Sequence, residues 1–231
     1  MRLHTRRWGA GARTAVLVHG IMADHRTWDP LVPVLTGHGY RVVAVDLRGH
    51  GRSPRGSYSP EDFADDLVDT LDAGPELMLG HSLGALALAL AVGRLRPGRA
   101  VYSEPAWRLG GPDGTLDPAA FAAFKRVPRL LMNTFRPEWD EDRVAAELAA
   151  LTAWDESSAH ALSAYRRVDH TPDRPLVPSL VQAADPSSLI SPPHRRELRD
   201  RGFAVRTLPD VGHSPHRDHF DAFVESLEGW L

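Results

Sequence analysis

A serine between two glycines, in the stretch LMLGHSLGALALAL (residues 77–90), is the first place where this chain suggests chemistry. Apolar runs flank it on both sides. If Leu77 to Leu79 is a strand and Leu83 to Val92 a helix, the turn joining them is very tight. Ser82 is then held in a strained backbone conformation, and Gly80 and Gly84 must be nearly free of side chain. Strain of that kind persists where it serves function. A serine hydroxyl is a weak nucleophile without a base to take its proton, and the base is usually a histidine oriented by a carboxylate. With 12 histidines and 30 acidic residues in the chain, presence means little and position decides.

Asp185, in QAADPSSLI, follows a strand-like run ending at Gln182. His213, in LPDVGHSPH, follows another that ends near Leu208. Ser82, Asp185 and His213 then leave the same carboxyl edge of a sheet, where open α/β sheets place their ligands. Glu104, just after the run Ala100–Tyr102, is the rival acid and reads instead as the pocket-side start of an insertion. His216 and His219 are expected at the start and on the surface of the final helix. His19-Gly20 ends the first strong strand, so the amide of Ile21 can face the site. Together with the amide of Leu83 it would form a two-donor oxyanion hole. His81 reads as a packed, hydrogen-bonded neighbour of the elbow, and His81 and Trp107 are the candidates for contact with substrate.

The elements that must position these residues are legible as short apolar runs. They are Ala15–Val18, Val42–Val45, Leu77–Leu79, Ala100–Tyr102, Leu180–Gln182 and Val205–Leu208. None alternates in polarity, which points to strands buried on both faces of a parallel sheet. Helical patterns separate them. Asp29-Pro30, Ser59-Pro60 and Ser191-Pro192 are start signals, and Phe220, Phe223, Val224 and Leu227 lie at helical spacing. From residue 105 to 175 no strand-like run occurs. Several helical patterns and the aromatics Trp107, Phe121, Phe124, Phe135, Trp139 and Trp154 fall there, mostly as the insertion's own core. The expected organisation is a core of residues 1–104 and 176–231 interrupted by a helical cap over 105–175.

Composition sets the bounds. A chain of 231 residues with 42% hydrophobic and 25% charged residues is long enough for one substantial α/β domain. A net charge of −3 and scattered arginines give no polyanion surface, so nucleic acid is not an expected partner. The chain has no cysteine, which excludes thiol catalysis, disulfides and thiolate metal sites. No HExxH spacing and no Gly-rich phosphate cradle is present. No metal or cofactor is therefore expected; His19, Arg48 and His50 together suggest anion binding, but no phosphate cradle accompanies them. Without an apolar leader or a membrane-length segment, a cytoplasmic protein acting on a small molecule with an apolar portion is expected.

Taken together, LVHG, DLRGHGRS (residues 46–53), GHSLG, ADPSSLISP and VGHSPHRD resemble, in order, the motifs of the α/β-hydrolase superfamily over essentially the whole length. The resemblance implies a doubly wound, mostly parallel eight-stranded sheet with helices on both faces and a lid after the sixth strand. The first hairpin is shortened here to roughly Arg2–Thr5. It implies a serine hydrolase acting on an ester, lactone or related carbonyl. A serine nucleophile argues against the dehalogenase and epoxide hydrolase branches. Thioester cleavage, carbon–carbon bond hydrolysis, cyclisation and small-molecule reception use the same parts.

Overall fold

The computed structural model describes residues 1–135 and 139–231, with the backbone alone at 133 and 135. Among the described residues seven strands form one sheet: β1 (Thr5–Trp8), β2 (Arg13–Val18), β3 (Tyr40–Val45), β4 (Leu77–His81), β5 (Arg99–Ser103), β6 (Ser179–Asp185) and β7 (Ala204–Pro209). Their spatial order is β1-β3-β2-β4-β5-β6-β7. All neighbours are parallel except β1, which runs antiparallel to β3.

The apolar runs are continuous because successive side chains feed two cores on opposite faces of the sheet. Ala15, Leu17, Leu77, Leu79 and Val101 enter one core, whereas Val16, Val18, Met78, Ala100 and Tyr102 enter the other. The described helices are α1 (Leu31–Gly37), α2 (Pro60–Thr70), α3 (Leu83–Leu95), α4 (Arg129–Phe135), α5 (Glu141–Ala153), α6 (Ser157–Ser163), α7 (Pro192–Asp200), α8 (Pro215–Asp218) and α9 (Phe220–Glu225). Leu31 and Leu35 of α1 and Phe223 of α9 close the first core. Phe63 and Leu67 of α2, Leu86 of α3 and Leu198 of α7 close the second.

The start signals act through identifiable bonds. The Ser59 hydroxyl accepts from the Asp62 amide, and the Asp62 carboxylate accepts from the Ser59 amide, a reciprocal cap with Pro60 at the first helical position. Ser191 caps α7 through the His194 amide. Asp29-Pro30 differs from expectation. A 3-10 turn (His25–Trp28) precedes it, α1 begins only at Leu31, and no side chain caps it.

Among the described residues the sheet has seven strands, not the eight expected, and no first hairpin forms, because β1 pairs with β3 and not with β2. The amides of Leu3 and His4 are given to the side chains of Thr70 and Ser53, at 2.8 Å each, and the one backbone bond here is the Asp46 amide to the His4 carbonyl at 2.9 Å, at the end of the β1–β3 pairing, so no further strand forms before β1. The single strand β1 follows at Thr5 and pairs with β3. The helical insertion accordingly comes after the fifth strand, β5, and not after a sixth.

Between β5 and β6 the described residues contain one nine-residue 3-10 helix (Pro118–Arg126), then α4, α5 and α6. An isolated bridge between Arg108 and Asp169 and the His170 amide bonded to the Trp107 carbonyl at 2.8 Å close its base. Val144, Leu151, Trp154 and Ala159 make a small separate core, against which Phe121, Trp139, Ile21 and Met22 pack. Trp154 is fully buried, with its indole N–H on Ser158 Oγ at 2.8 Å. Phe124 is exposed, and the side chain of Phe135 lies outside the described residues.

Candidate active site

The turn after β4 is as tight as the sequence suggests. Ser82 has φ 50° and ψ −115° and is 5% exposed. A Cβ on Gly80 would lie 2.6 Å from the Gly84 carbonyl oxygen, and one on Gly84 would collide with the carbonyl oxygens of Val18 and His19. Each flanking glycine is therefore required by backbone contact, in addition to any freedom of φ. The Ser82 amide bonds the Ser103 carbonyl at 3.0 Å, which anchors the elbow to the end of β5.

His213 comes from the loop after β7, and its Nε2 lies 3.0 Å from Ser82 Oγ. Its Nδ1 faces Glu104 Oε2 at 3.4 Å. That is a long contact, of a length common in catalytic sites without substrate. With Nδ1–H given to the carboxylate, Nε2 is left as the acceptor for the serine proton.

The carboxylate beside His213 is thus Glu104, not Asp185. Glu104 follows the last residue of β5, the strand next to β4, and its φ of 45° turns the side chain inward, where it is fully buried. Its Oε1 accepts from the Ala184 amide at 2.7 Å and its Oε2 from the Ser187 hydroxyl at 2.9 Å. Asp185 lies one strand further from Ser82. Its side chain is 54% exposed and faces Arg195 at 3.4 Å. It serves the site through its backbone, because its carbonyl accepts from the Asp210 amide at 2.9 Å and it bridges Val211 just before His213. One sequence signal pointed to Glu104: an acid ending an otherwise apolar strand.

Ile21 and Leu83 both border the cavity above Ser82 and His213. Neither amide is given to a protein acceptor among the described bonds. Gly20 brings Ile21 close, since a Cβ there would stand 3.1 Å from Ser82 Cβ. The cavity, of about 180 Å³, is roofed by apolar side chains of the insertion. A larger cavity of about 370 Å³ lies between the 3-10 turn at His25–Trp28 and α5, apart from Ser82 and His213, among arginines and acids that bond one another.

His81 and Trp107 do not line the cavity over Ser82. His81 sits behind the site, where its Nε2–H donates to the His213 carbonyl at 2.8 Å and its ring packs 4.9 Å from that of His213. Trp107 is fully buried between Tyr102 and Phe203, with ring centroids at 5.1 and 5.8 Å, because the chain turns down into the core just after Glu104. His216 stacks on Trp28 at 4.5 Å, and His219 caps α9 through the Ala222 amide.

Of the loop residues that suggest an anion site, Arg48 and His19 are spent internally, whereas His50 bonds the Arg48 carbonyl through Nδ1 at 2.8 Å and its buried Nε2 has no partner among the described residues. Arg48 forms a two-point bond to Asp66 at 2.6 and 2.8 Å. His19 accepts from the Leu47 amide at 2.9 Å and donates to the Gly20 carbonyl at 2.7 Å. Among the described residues, His4, His25 and Asp46 form the one cluster of metal-ligating type. Asp46 takes Nδ1–H of His4 at 2.9 Å, Nδ1–H and the amide of His25 at 2.7 and 2.8 Å, and the Arg52 amide at 3.0 Å. The carboxylate is saturated and both Nδ1 atoms serve as donors, so the cluster is a hydrogen-bonded loop hub. Burial works to raise the Asp46 pKa, yet these bonds and the nearby histidines hold it well below the usual carboxylate range.

Burial makes His19, His50, His81 and His216 weaker bases, with His50 brought down to about 3. Below their unfolded value of about 6.5 the unfolded chain binds protons that the folded chain refuses, so stability falls as pH falls. The slope reaches about 1.4 kcal/mol per pH unit for each histidine. A melting series is expected to show Tm dropping steeply between about pH 6.5 and 5; a flat Tm over that interval would contradict these burials.

A family model described as the alpha/beta hydrolase family matches residues 15–226. An esterase of Mycobacterium tuberculosis is 39% identical over 92 residues, 37% of this chain and 30% of the relative. A non-heme chloroperoxidase, CPO-A1, of Kitasatospora aureofaciens is 38% identical over 97 residues, 40% of this chain and 35% of the relative. The match thus spans about a third of the length of these curated relatives. The crystal structure of the enol-lactonase from Burkholderia xenovorans LB400 superposes with a TM-score of 0.76 at 26% identity, covering 99% of this chain and 95% of that one. With the family model covering nearly the whole sheet and the solved structure following the chain from end to end, this protein belongs to the alpha/beta hydrolase family.

Proposed function

We propose that this protein is a serine hydrolase that cleaves an ester, lactone or related carbonyl compound through an acyl-enzyme. The observation that carries the reading is Ser82 Oγ at 3.0 Å from His213 Nε2, on an elbow of positive φ. Neutral His213 takes the Ser82 proton at Nε2 while Oγ adds to the carbonyl carbon. The amides of Ile21 and Leu83 hold the resulting oxyanion. Collapse expels the alcohol oxygen, which takes the proton from Nε2. Water then gives a proton to His213 and attacks the acyl carbon, and Ser82 leaves with that proton. Glu104 keeps the imidazole in the productive tautomer and stabilises its charged form.

Two neighbours keep that proton transfer local. His81 and His216 stay neutral because burial and then adjacent positive charge disfavour their protonated forms. The imidazolium formed at His213 therefore meets no second cation in the ring 4.9 Å away. The helices over residues 105–175 act as a cap that excludes water and shapes the substrate space, and the partner is a small molecule with an apolar portion. No described helix is long and apolar enough to cross a membrane. A fluorophosphonate probe is expected to label one residue, Ser82, and to leave Ser82→Ala unlabelled. Labelling that survives the substitution would overturn the reading.

A further inference from the structure

The cavity over Ser82 carries information about charge as well as size. Its insertion side is Leu109, Leu116, Pro118, Phe121 and Leu162, and Leu189 closes it from the loop after β6. Apart from Ser82 and His213, the one polar side chain among the described lining residues is Ser188; no arginine, lysine, aspartate or glutamate reaches it. The basic residues of the neighbourhood are engaged elsewhere. Arg195 bonds the Ala184 carbonyl at 2.6 Å, Arg108 bonds Asp169 at 2.9 Å, and Arg217 bonds Glu147 at 2.9 Å. Glu104, the nearest acid, is buried beneath His213 and would repel an anion.

A carboxylate moved into such a space loses its hydration and gains no partner, a cost that an enzyme meets only with a matching cation. Size is limited as well. A cavity of about 150 Å³ holds one benzene ring, so 180 Å³ accommodates about six to eight non-hydrogen atoms.

We propose, resting on the serine-hydrolase reading above, that the substrate group beside the scissile carbonyl is a short, uncharged, apolar acyl group, and that Leu116 and Phe121 set its charge and length. Anionic acyl groups are excluded at this site.

The test uses matched p-nitrophenyl esters, a butyrate and pentanoate series against the half-esters of succinate and glutarate, with fluorophosphonate labelling run beside them. The neutral ester is expected to exceed its anionic match in kcat/KM by at least about a hundredfold. Leu116→Arg should narrow that ratio at least about tenfold by supplying the missing cation. Phe121→Ala, which removes bulk and adds no charge, should move the chain-length optimum from about four or five carbons to about eight. Equal rates on neutral and anionic esters, or a length optimum unmoved in Phe121→Ala, would overturn the inference while labelling at Ser82 leaves the hydrolase reading standing. Absence of labelling in the folded wild-type protein would instead overturn that reading.

Discussion

Ser82→Ala is expected to lower kcat on a neutral ester by about five to six powers of ten, the effect of deleting a nucleophile that acts as one unit with its base. The fold should survive, because the Ser82 hydroxyl bonds only His213 among the described residues and alanine suffers the same φ of 50° as serine. The residual rate, about a thousandfold above water, comes from substrate held against the amides of Ile21 and Leu83. KM should change little, since the apolar cavity walls are untouched. Stopped assays at high enzyme concentration with unchanged circular dichroism provide the check. A loss smaller than about a hundredfold would mean that another group attacks the carbonyl.

Glu104→Gln is expected to cost about three to four powers of ten in kcat with the fold retained. The geometry makes the amide a poor substitute. Oε1 accepts from the Ala184 amide, and Oε2 accepts from Ser187 and faces His213 Nδ1. Glutamine has only one acceptor oxygen, so its NH2 must point at a donor on one side or the other. If it points at His213, the imidazole turns to the tautomer that cannot take the serine proton. Asp185→Asn should remain within about threefold of wild type, since among the described residues the exposed carboxylate faces only Arg195. The backbone carbonyl that steadies the His213 loop is kept in that variant. The paired comparison is decisive: a crippled Asp185→Asn beside an active Glu104→Gln would reverse the assignment.

That pair also marks where the sequence stops being readable. Ser82 was legible because its surroundings leave no freedom: backbone oxygens occupy the space of any Cβ at Gly80 or Gly84. His213 was legible because it stands in the loop that leaves the last strand, and the structure brings it to Ser82. The acid was not. Asp185 and Glu104 both end strands on the correct edge, and the choice depends on a single torsion. A φ of 45° at Glu104 sends its side chain under His213, whereas Asp185 ends β6 pointing to solvent. Periodicity carries no information about such a turn. Trp107 misled for a related reason, since nearness to a strand end does not say whether the chain next goes up into the insertion or down into the core. The strand count failed at Leu3 and His4, whose amides bond side chains instead of a neighbouring strand. The two-sided core was fully readable, because an unbroken apolar run of strand length must be covered on both faces.

The most direct test of the central claim is to trap the covalent intermediate. Wild-type protein mixed with p-nitrophenyl butyrate and quenched in acid within the first turnovers should give a mass increase of one butyryl group on the peptide holding Ser82. A burst of nitrophenolate matching the enzyme concentration should accompany it. Neither should appear with Ser82→Ala. Turnover of the ester with no acyl group on Ser82, or with the group on another residue, would contradict the account.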